Sequence, residues 1–415
     1  MNSIKFILLG LVCIALNGCN KKFASVILDS ASSVEEVAII TSDKREKCDC
    51  TDPHNYSPDP EWPQFDYTQF IRVNVHFPNT SDKSKNLVGQ EAVKYAKDLV
   101  YNCNNYVKLN KKMNLPLGNN TPVYDTNYRL KLVNDPKTKS GLAVYEDVDD
   151  EDWFYIKKGK GQNNYNKNII KKHAQEDDRV LNVFAMVYPP DSLKSKTFSG
   201  GQAGIALGTS VKIADARTRK PWQIASLLNH EVGHVYGLRH SWYKSDGCDD
   251  TPPNPNCWDK NGGPKCKNGV SNNLMDYNNQ QRAITPCQIG VVRKNMLQES
   301  SKTRKLLERN WCDYDPTQTL VIRNNTSFER YIDNRGDIIV EEGVELKLSC
   351  RLHMPKGGRI IVKPGGKLIL NAVRIHNDCD EKWGGIVLQS NSKKEATVEY
   401  LGRVQLENLD DKTES

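Results

Sequence analysis

The feature that most constrains this chain is a histidine-rich segment between residues 230 and 240, HEVGHVYGLRH. On a helix, His230 and His234 are one turn apart, so both imidazoles leave the same face and can bind one cation. Gly237 can adopt a positive φ, which lets the chain leave the helix sharply and brings His240 round as a third ligand. Three neutral imidazoles with an open fourth position are typical of a catalytic zinc site. The carboxylate of Glu231 projects beside them.

Composition supports this interpretation and excludes other classes. Only 8 of 415 residues are histidine, yet three of them lie within this one short segment. This clustering disfavours the interpretation that they are ordinary surface or core histidines without a shared role. The net charge is +7 (58 Lys and Arg against 51 Asp and Glu) without a dense basic run, so no nucleic-acid partner is predicted. The apolar stretch from Phe6 to Leu16 is too short to span a bilayer as a mature helix. An integral membrane bundle, a coiled coil and a disordered chain are therefore excluded, while the oligomeric state is left open.

The amino terminus has the organisation of a secretory signal peptide. Lys5 supplies the positive charge, an apolar core runs to Leu16, and Gly18 and Cys19 follow. The sequence Leu-Asn-Gly-Cys that ends this segment resembles a bacterial lipobox, in which the cysteine is lipidated after cleavage. An ordinary signal peptide cut nearby is the alternative. We predict a signal peptide at 1–18, and a lipid-anchored tether or pro-like segment at 19–65. The protein is then an exported bacterial lipoprotein of the cell envelope, on the periplasmic side or the cell surface.

Residues 66–311 are predicted to form a domain of mixed strands and helices. Alternating apolar residues from Ile71 to Phe77 predict a strand, and helical spacing predicts an amphipathic helix over 90–106. The apolar run 180–188 indicates a buried strand, and 222–238 a helix that carries the histidine segment. This order of elements is typical of an α/β or α+β domain.

A second motif, Asn273-Leu274-Met275-Asp276-Tyr277, follows the histidine segment. The two together resemble the metzincin zinc peptidases, in which a Met-turn lies beneath the metal. The resemblance implies an α+β domain with a mixed sheet, an active-site helix and a Met-turn. It also implies that Met275 is a hydrophobic floor that does not bind zinc, and that Tyr277 stabilises the tetrahedral oxyanion. A tyrosine that is merely packed is the alternative. The zinc ligands would be His230, His234 and His240.

The region 220–300 is more specifically similar to the pappalysin family, which includes the cytophagalysins and ulilysin. The similarity rests on Asp249-Asp250-Thr251-Pro252 and on four cysteines, Cys248, Cys257, Cys266 and Cys287. It implies the pairs Cys248–Cys266 and Cys257–Cys287, which would clamp the loop that shapes the primed side of the cleft. Sequence alone allows three connectivities, and a second, cysteine-only zinc site is a rival that the missing CxxC spacing disfavours.

The same resemblance implies that a calcium ion can bind near this loop. The oxygen atoms available to it belong to Asp246, Asp249, Asp250 and Thr251. A solvated acidic turn is the alternative.

The chemistry implied by this set of residues is hydrolysis of an internal peptide bond. Zinc lowers the pKa of its bound water and polarises the scissile carbonyl. Glu231 would take the proton from that water and then deliver it to the leaving amine. The partner is a protein or peptide substrate, and the membrane is contacted only through the lipid on Cys19.

Exported chains sit in an oxidising compartment, so the remaining cysteines are interpreted first as disulfides. Cys48 and Cys50 could bridge elsewhere, or one could act as a thiolate that blocks the zinc in a latent form. Cys103 and Cys312 have no assigned partner. Cys350 and Cys379 are predicted to bridge neighbouring rungs of the carboxy-terminal module.

That module, at 316–415, is predicted to be a small all-β structure. The pattern Ile-Ile-Val-x-x-Gly-x-x-Leu-x-Leu occurs at 338–348 and again at 360–370, offset by 22 residues. Such a repeat favours the rungs of a β-solenoid, with a small β-sandwich as the alternative. Further rungs are expected at 383–388 and 396–409. His353 and His376 are isolated in sequence, so they are interpreted as surface residues.

Three functions follow from these features. The first is an exported, lipid-anchored zinc endopeptidase. The second is a surface adhesion or binding protein with a vestigial peptidase domain and a binding β-solenoid, which the complete set of catalytic residues disfavours. The third, a zinc hydrolase that acts on a non-peptide amide, is disfavoured by the metzincin-like arrangement.

Overall fold

A computed structural model describes residues 24–28, 37–40, 47–148, 155–157, 162–176, 178–194, 196, 203–242 and 246–410. The predicted signal peptide and Cys19 lie outside these residues. No helix in the described ranges is long and apolar enough to cross a membrane. The chain divides into two compact units. The α/β unit consists of Tyr56–Glu61 and Asp66–Glu308, and the β unit of Met1–Asn55, Trp62–Phe65 and Arg309–Ser415.

The described part of the chain contains both helices and strands. The helices are α1 Gly89–Leu109, α2 Asn168–His173, α3 Pro190–Lys194, α4 Pro221–Val235 and α5 Pro286–Leu297. The strands are β1 Ala24–Leu28, β2 Val37–Ile40, β3 Gln69–His76, β4 Tyr128–Leu132, β5 Val144–Tyr145, β6 Leu181–Met186, β7 Gly204–Ala206, β8 Ser210–Ala214, β9 Leu320–Ile322, β10 Thr326–Asp333, β11 Ile338–Val340, β12 Glu345–His353, β13 Ile360–Val362, β14 Lys367–His376, β15 Ile386–Ser390, β16 Thr397–Leu401 and β17 Arg403–Leu406.

The α/β unit is a mixed α/β fold built on one sheet of strand order β4-β3-β6-β8-β7, with β5 paired to the end of β3. All pairs are parallel except β7, which runs antiparallel to β8 at the edge. The predicted strands and helices are confirmed: every residue of β6 is buried, and the apolar stripe of α1 packs against α4. The edge strand β7 in turn contacts α4. The sheet thus places the helix of the histidine segment beside an antiparallel edge strand.

The β unit contains two sheets, β1-β15-β13-β11-β9 and β10-β12-β14-β17-β2, with β16 also paired to β14. Strands β11 and β13 pair in parallel with Ile338 opposite Ile360, and β12 and β14 pair with Leu346 opposite Leu368. Both registers equal the 22-residue offset of the sequence repeat. The repeated Ile, Val and Leu side chains are buried because equivalent positions stack on one another inside the unit.

Segments from the amino-terminal region belong to the β unit. Strands β1 and β2 pair antiparallel with β15 and β17. The rings of Trp62 and Phe65 each meet Phe328 edge-on at a centroid distance of 5.1 Å.

The predicted bridge between Cys350 and Cys379 is wrong. Cys350 is bonded to Cys50, and Cys379 to Cys312. Cys350 has a φ of 73° and lies at a shift in the register between β12 and β14. Its partner Cys50 belongs to an amino-terminal segment that carries no copy of the 22-residue repeat, so the repeat could not predict where that segment packs. The indole of Trp311 donates a hydrogen bond to the carboxylate of Asp378. Cys312 and Cys379 are the next residues along the chain, so this hydrogen bond holds the two cysteines close together.

Two further sequence interpretations change in the β unit. His353 and His376 are buried rather than exposed, because they face each other on paired strands β12 and β14. Cys50 is not available as a zinc-blocking thiolate because it is disulfide-bonded, whereas Cys48 is a thiol whose Sγ lies 4.0 Å from the Sγ of Cys50.

Candidate active site

Three histidines predicted as metal ligands meet at the end of α4. The Nε2 atom of His234 lies 3.1 Å from Nε2 of His230 and 3.0 Å from Nε2 of His240. Helix α4 begins with Pro221 and ends at Val235, after which Gly237 adopts a φ of 90°. That conformation is strained for any residue with a side chain, and it returns the chain so that His240 faces the helix.

The arrangement fits zinc. Nitrogens on one tetrahedral zinc, at about 2.0–2.1 Å from the metal, lie roughly 3.3 Å apart, close to the separations seen here. The other ring nitrogens are held by backbone oxygens: Nδ1 of His230 lies 2.7 Å from the carbonyl of Leu274, and Nδ1 of His234 lies 2.8 Å from that of Leu238. A proton on each Nδ1 leaves Nε2 as a lone-pair donor.

Electrostatics also favour ligation. Burial, reinforced by the neighbouring imidazole of His234, lowers the pKa of His230 to about 3 and that of His240 to about 4. Burial lowers the pKa of His234 as well. A metal requires the neutral imidazole, so these rings are held in the form that binds it.

Glu231 lies between the histidines and the edge strand β7. Its side chain is buried, and burial raises the pKa of the carboxyl to about 8, opposed by a hydrogen bond from the backbone of Ala206. Strand β7 thus fixes the carboxylate at one side of the metal site. Its position beside the three imidazoles suits Glu231 to proton transfer with a water molecule at this site.

The close approach of β7 to Glu231 depends on Gly204. A Cβ atom at this position would lie 2.5 Å from Oε1 of Glu231 and 2.8 Å from its Cγ. We expect Gly204→Ala to displace the carboxylate and lower kcat by up to about 10²-fold, because a misplacement of about 1 Å can cost that much. Zinc content should stay at one equivalent, since the three atoms nearest to the added Cβ all belong to Glu231, which is not a zinc ligand. Wild-type kcat in the zinc-loaded variant would contradict the assignment.

The Met-turn lies beneath the histidines, as the sequence predicts. Met275 is fully buried, and a Cβ on Gly233 would lie 2.7 Å from its Sδ, so a glycine in α4 is what lets the turn approach. The turn is held by Asn273, whose side-chain oxygen accepts the N–H of Met275 at 2.8 Å. Gln281 donates to the carbonyl of Asp276 at 2.7 Å and lies 3.4 Å from Nδ1 of His230.

Tyr277 lies at the open side of the site. Its ring is half exposed, with its centroid 5.0 Å from that of His240 and 4.5 Å from that of Trp242. The ring of Trp242 stacks on His240 at 4.1 Å. Together with His230 and Glu231, Tyr277 lines a cavity of about 370 Å³ that also contains Trp258, Leu227 and the beginning of β7.

The predicted pairing of Cys248, Cys257, Cys266 and Cys287 is wrong. All four are disulfide-bonded, as Cys248–Cys287 and Cys257–Cys266. The reason lies in Asp250, whose carboxylate accepts the N–H of Cys287 and the hydroxyl of Thr285 at the start of α5, which draws the two chain segments together. The short Cys257–Cys266 loop then closes on itself.

The acidic residues suggested as calcium ligands have structural partners. Asp250 caps α5, and Asp246 accepts the hydroxyl of Thr251 and the N–H of Cys248. Asp246 and Asp250 thus stabilise the backbone of this loop through hydrogen bonds, as side chains in an acidic turn commonly do.

Sequence reasoning missed four residues that shape the site. They are Gly204, Trp242, Trp258 and Gln281. The contact of Gly204 with Glu231 depends on how β7 packs on α4. The two tryptophans and the glutamine follow no spacing rule that a single sequence reveals.

Comparison with known proteins finds a family match over the part of the chain that contains these residues. Residues 126–303 match the family described as metallo-peptidase family M12B, reprolysin-like. No curated protein matches the chain. Similar solved structures include Tannerella forsythia mature mirolysin in complex with a cleaved peptide, at 19 % identity and a TM-score of 0.39, covering 58 % of this chain and 95 % of that one. Mirolysin in complex with compound 9 is similar at 18 % identity and a TM-score of 0.39, covering 58 % and 96 %.

Proposed function

We propose that this zinc metalloendopeptidase uses Glu231 to activate the water that cleaves internal peptide bonds. Its residues 126–303 match a reprolysin-like peptidase family. The observation that carries the proposal is the convergence of three imidazole Nε2 atoms beside a buried carboxylate at an open cavity. The segment Asp249-Asp250-Thr251-Pro252 supports a finer, pappalysin-like assignment, although the neighbouring cysteines pair differently from what that resemblance implies.

The residues act in defined ways. His230, His234 and His240 would hold zinc, which when bound polarises the scissile carbonyl and makes water more acidic. Glu231 accepts the proton of the attacking water and returns it to the leaving amine. The backbone of Ala206 and the absence of a side chain at Gly204 fix the carboxylate for both transfers.

Tyr277 is the residue proposed to stabilise the oxyanion. Its ring lies beside His240 and lines the cavity next to Glu231, so its hydroxyl is the side-chain donor proposed for the developing negative charge. We expect Tyr277→Phe to reduce kcat by about 10²-fold, the typical effect of removing one oxyanion donor. Steady-state kinetics on one peptide would measure it, and an unchanged kcat would leave Tyr277 with a packing role only.

The proposed cellular setting rests on sequence. The signal-like amino terminus supports export, and Cys19 would carry the lipid that anchors the protein to the envelope. Substitution Cys19→Ala should move the protein from the membrane fraction to the soluble fraction, and retention in the membrane would refute the anchor. The 22-residue register of parallel strands supports a short β-solenoid for the β unit.

A protein digest tests the function. The purified chain should cleave an unstructured protein such as casein, lose this activity with phenanthroline, and regain it when zinc is restored. A surface binding protein with a vestigial peptidase domain would show no chelator-sensitive cleavage at all. Mass spectrometry of the products would establish that internal bonds are cut.

A further inference from the structure

A second cavity, here called the arginine pocket, adjoins the one at Glu231. It measures about 240 Å³ and its lining includes Arg219, Trp222, Arg282, Trp258 and Gln281. Trp258 and Gln281 line both cavities, and Gln281 also lies 3.4 Å from the ring of His230. A peptide bound at Glu231 can therefore extend directly into the arginine pocket.

Arg282 is fixed in this pocket with its hydrogen-bonding edge available. Its guanidinium carbon lies 3.2 Å from the centroid of the Tyr106 ring, and Tyr106 is itself held by a 3.0 Å hydrogen bond to the carbonyl of Trp222. The backbone of Arg282 donates to Asn272 at 2.9 Å. Stacking uses the flat face of a guanidinium and leaves its N–H groups for an acceptor in the plane.

The pocket has an excess of positive charge. Arg219 is paired with Asp215, with Nε 2.8 Å from Oδ2, whereas no carboxylate among the described residues pairs with Arg282. The described lining contains no acidic residue, so two arginines and one partner carboxylate leave a charge of +1. A carboxylate that entered the pocket could accept two parallel hydrogen bonds from the guanidinium of Arg282. Because the stacked side chain is already held in place, binding would cost little side-chain entropy.

We propose that the arginine pocket binds a carboxylate of the peptide substrate through Arg282. Cleavage then favours peptides with an acidic side chain, or a free carboxy terminus, at a fixed distance from the scissile bond. This inference rests on the proposed function, because the pocket matters only if a peptide lies in the adjoining cavity. It adds a substrate class that the zinc site alone does not specify.

Matched peptides test the inference in the full chain. Quenched fluorescent peptides would carry Glu or Gln at each position within four residues of the cleaved bond, and a second set would end in a free acid or an amide. We expect a kcat/KM ratio of about 10 to 100 in favour of the acid at one position, as for a charge-assisted hydrogen bond. The first set detects a side chain, and the second detects a carboxy terminus.

Variants assign the preference to one residue. Arg282→Gln should reduce the ratio to about one, Arg282→Lys should give an intermediate ratio because it keeps the charge without the fork, and Arg282→Glu should favour Lys over Gln in the peptide. Arg323→Gln is the matched control, since Arg323 is an exposed arginine of the β unit, and it should keep the wild-type ratio. Zinc content and thermal melting would show that each variant folds.

Two outcomes would overturn the inference: neutral and acidic peptides cleaved equally by the wild type, or a preference that survives Arg282→Gln. Binding separates this from failure of the proposed function. In the zinc-loaded Glu231→Gln variant, fluorescence anisotropy should show tighter binding of the acidic peptide, and the added Arg282→Gln change should abolish the difference. Selective binding without any wild-type cleavage would refute the proposed function and keep the carboxylate pocket, whereas equal binding would refute the pocket.

Discussion

Replacing Glu231 with Gln should abolish proteolysis while leaving zinc in place. The side chain is buried beside the histidines but contributes no ligand atom to them, so the amide should fit the same space. It cannot accept a proton from water, and loss of a general base typically costs about 10²- to 10⁴-fold in rate. The measurement is kcat on a single peptide, with zinc content determined on the same sample.

The control for this prediction is Glu91→Gln. Glu91 is exposed in the first turn of α1 and lines neither cavity, so its substitution removes an equal charge without touching the site. Activity should remain at the wild-type level. If zinc-loaded Glu231→Gln cleaved at a wild-type rate, another group would have to be the base.

Replacing His234 with Ala should remove both zinc and activity. His234 is central to the ligand set, since its Nε2 lies within 3.1 Å of both of the others. Mutating even an outer partner of a metal ligand costs about 10- to 100-fold in affinity, so loss of a ligand itself should exceed that range. Competition with a chromophoric chelator would give the zinc affinity of wild type and variant.

His54→Ala provides the comparison, because His54 is an exposed histidine of the β unit. It should bind zinc with the wild-type affinity. A His234→Ala protein that kept one tightly bound zinc and its peptidase activity would show that the metal sits elsewhere.

The local chemistry of the site was predictable from the sequence, and the reprolysin-like match confirms the predicted zinc metallopeptidase. The spacing of His230 and His234 needs only helix geometry, and Gly237 needs only its freedom at positive φ. Gly204 could not be identified in the same way. Its role appears only when the edge of the sheet packs against α4, and that contact depends on long-range packing rather than on local pattern.

The pairing of the cysteines also depends on long-range packing that the sequence does not reveal. Their number and the oxidising setting predicted disulfides, and six that were expected to pair are all bonded. The partners were wrong because pairing depends on which chain segments meet. Asp250 joins the start of α5 to its own loop, and Cys350 meets an amino-terminal segment 300 residues away.

The β unit was predictable only in part from the sequence. Its 22-residue repeat predicted the register of the parallel strands, because repeated positions must stack to bury their apolar side chains. The participation of β1, β2 and Trp62 was not predictable, since these segments carry no copy of the repeat.

The most direct test of the central claim is a zinc titration of metal-free protein, followed by the rate of peptide cleavage. The account predicts no cleavage without zinc, a linear rise up to one equivalent per chain, and a plateau beyond it. Cleavage by the metal-free protein, or a fully zinc-loaded protein that cleaves no peptide or protein, would contradict it.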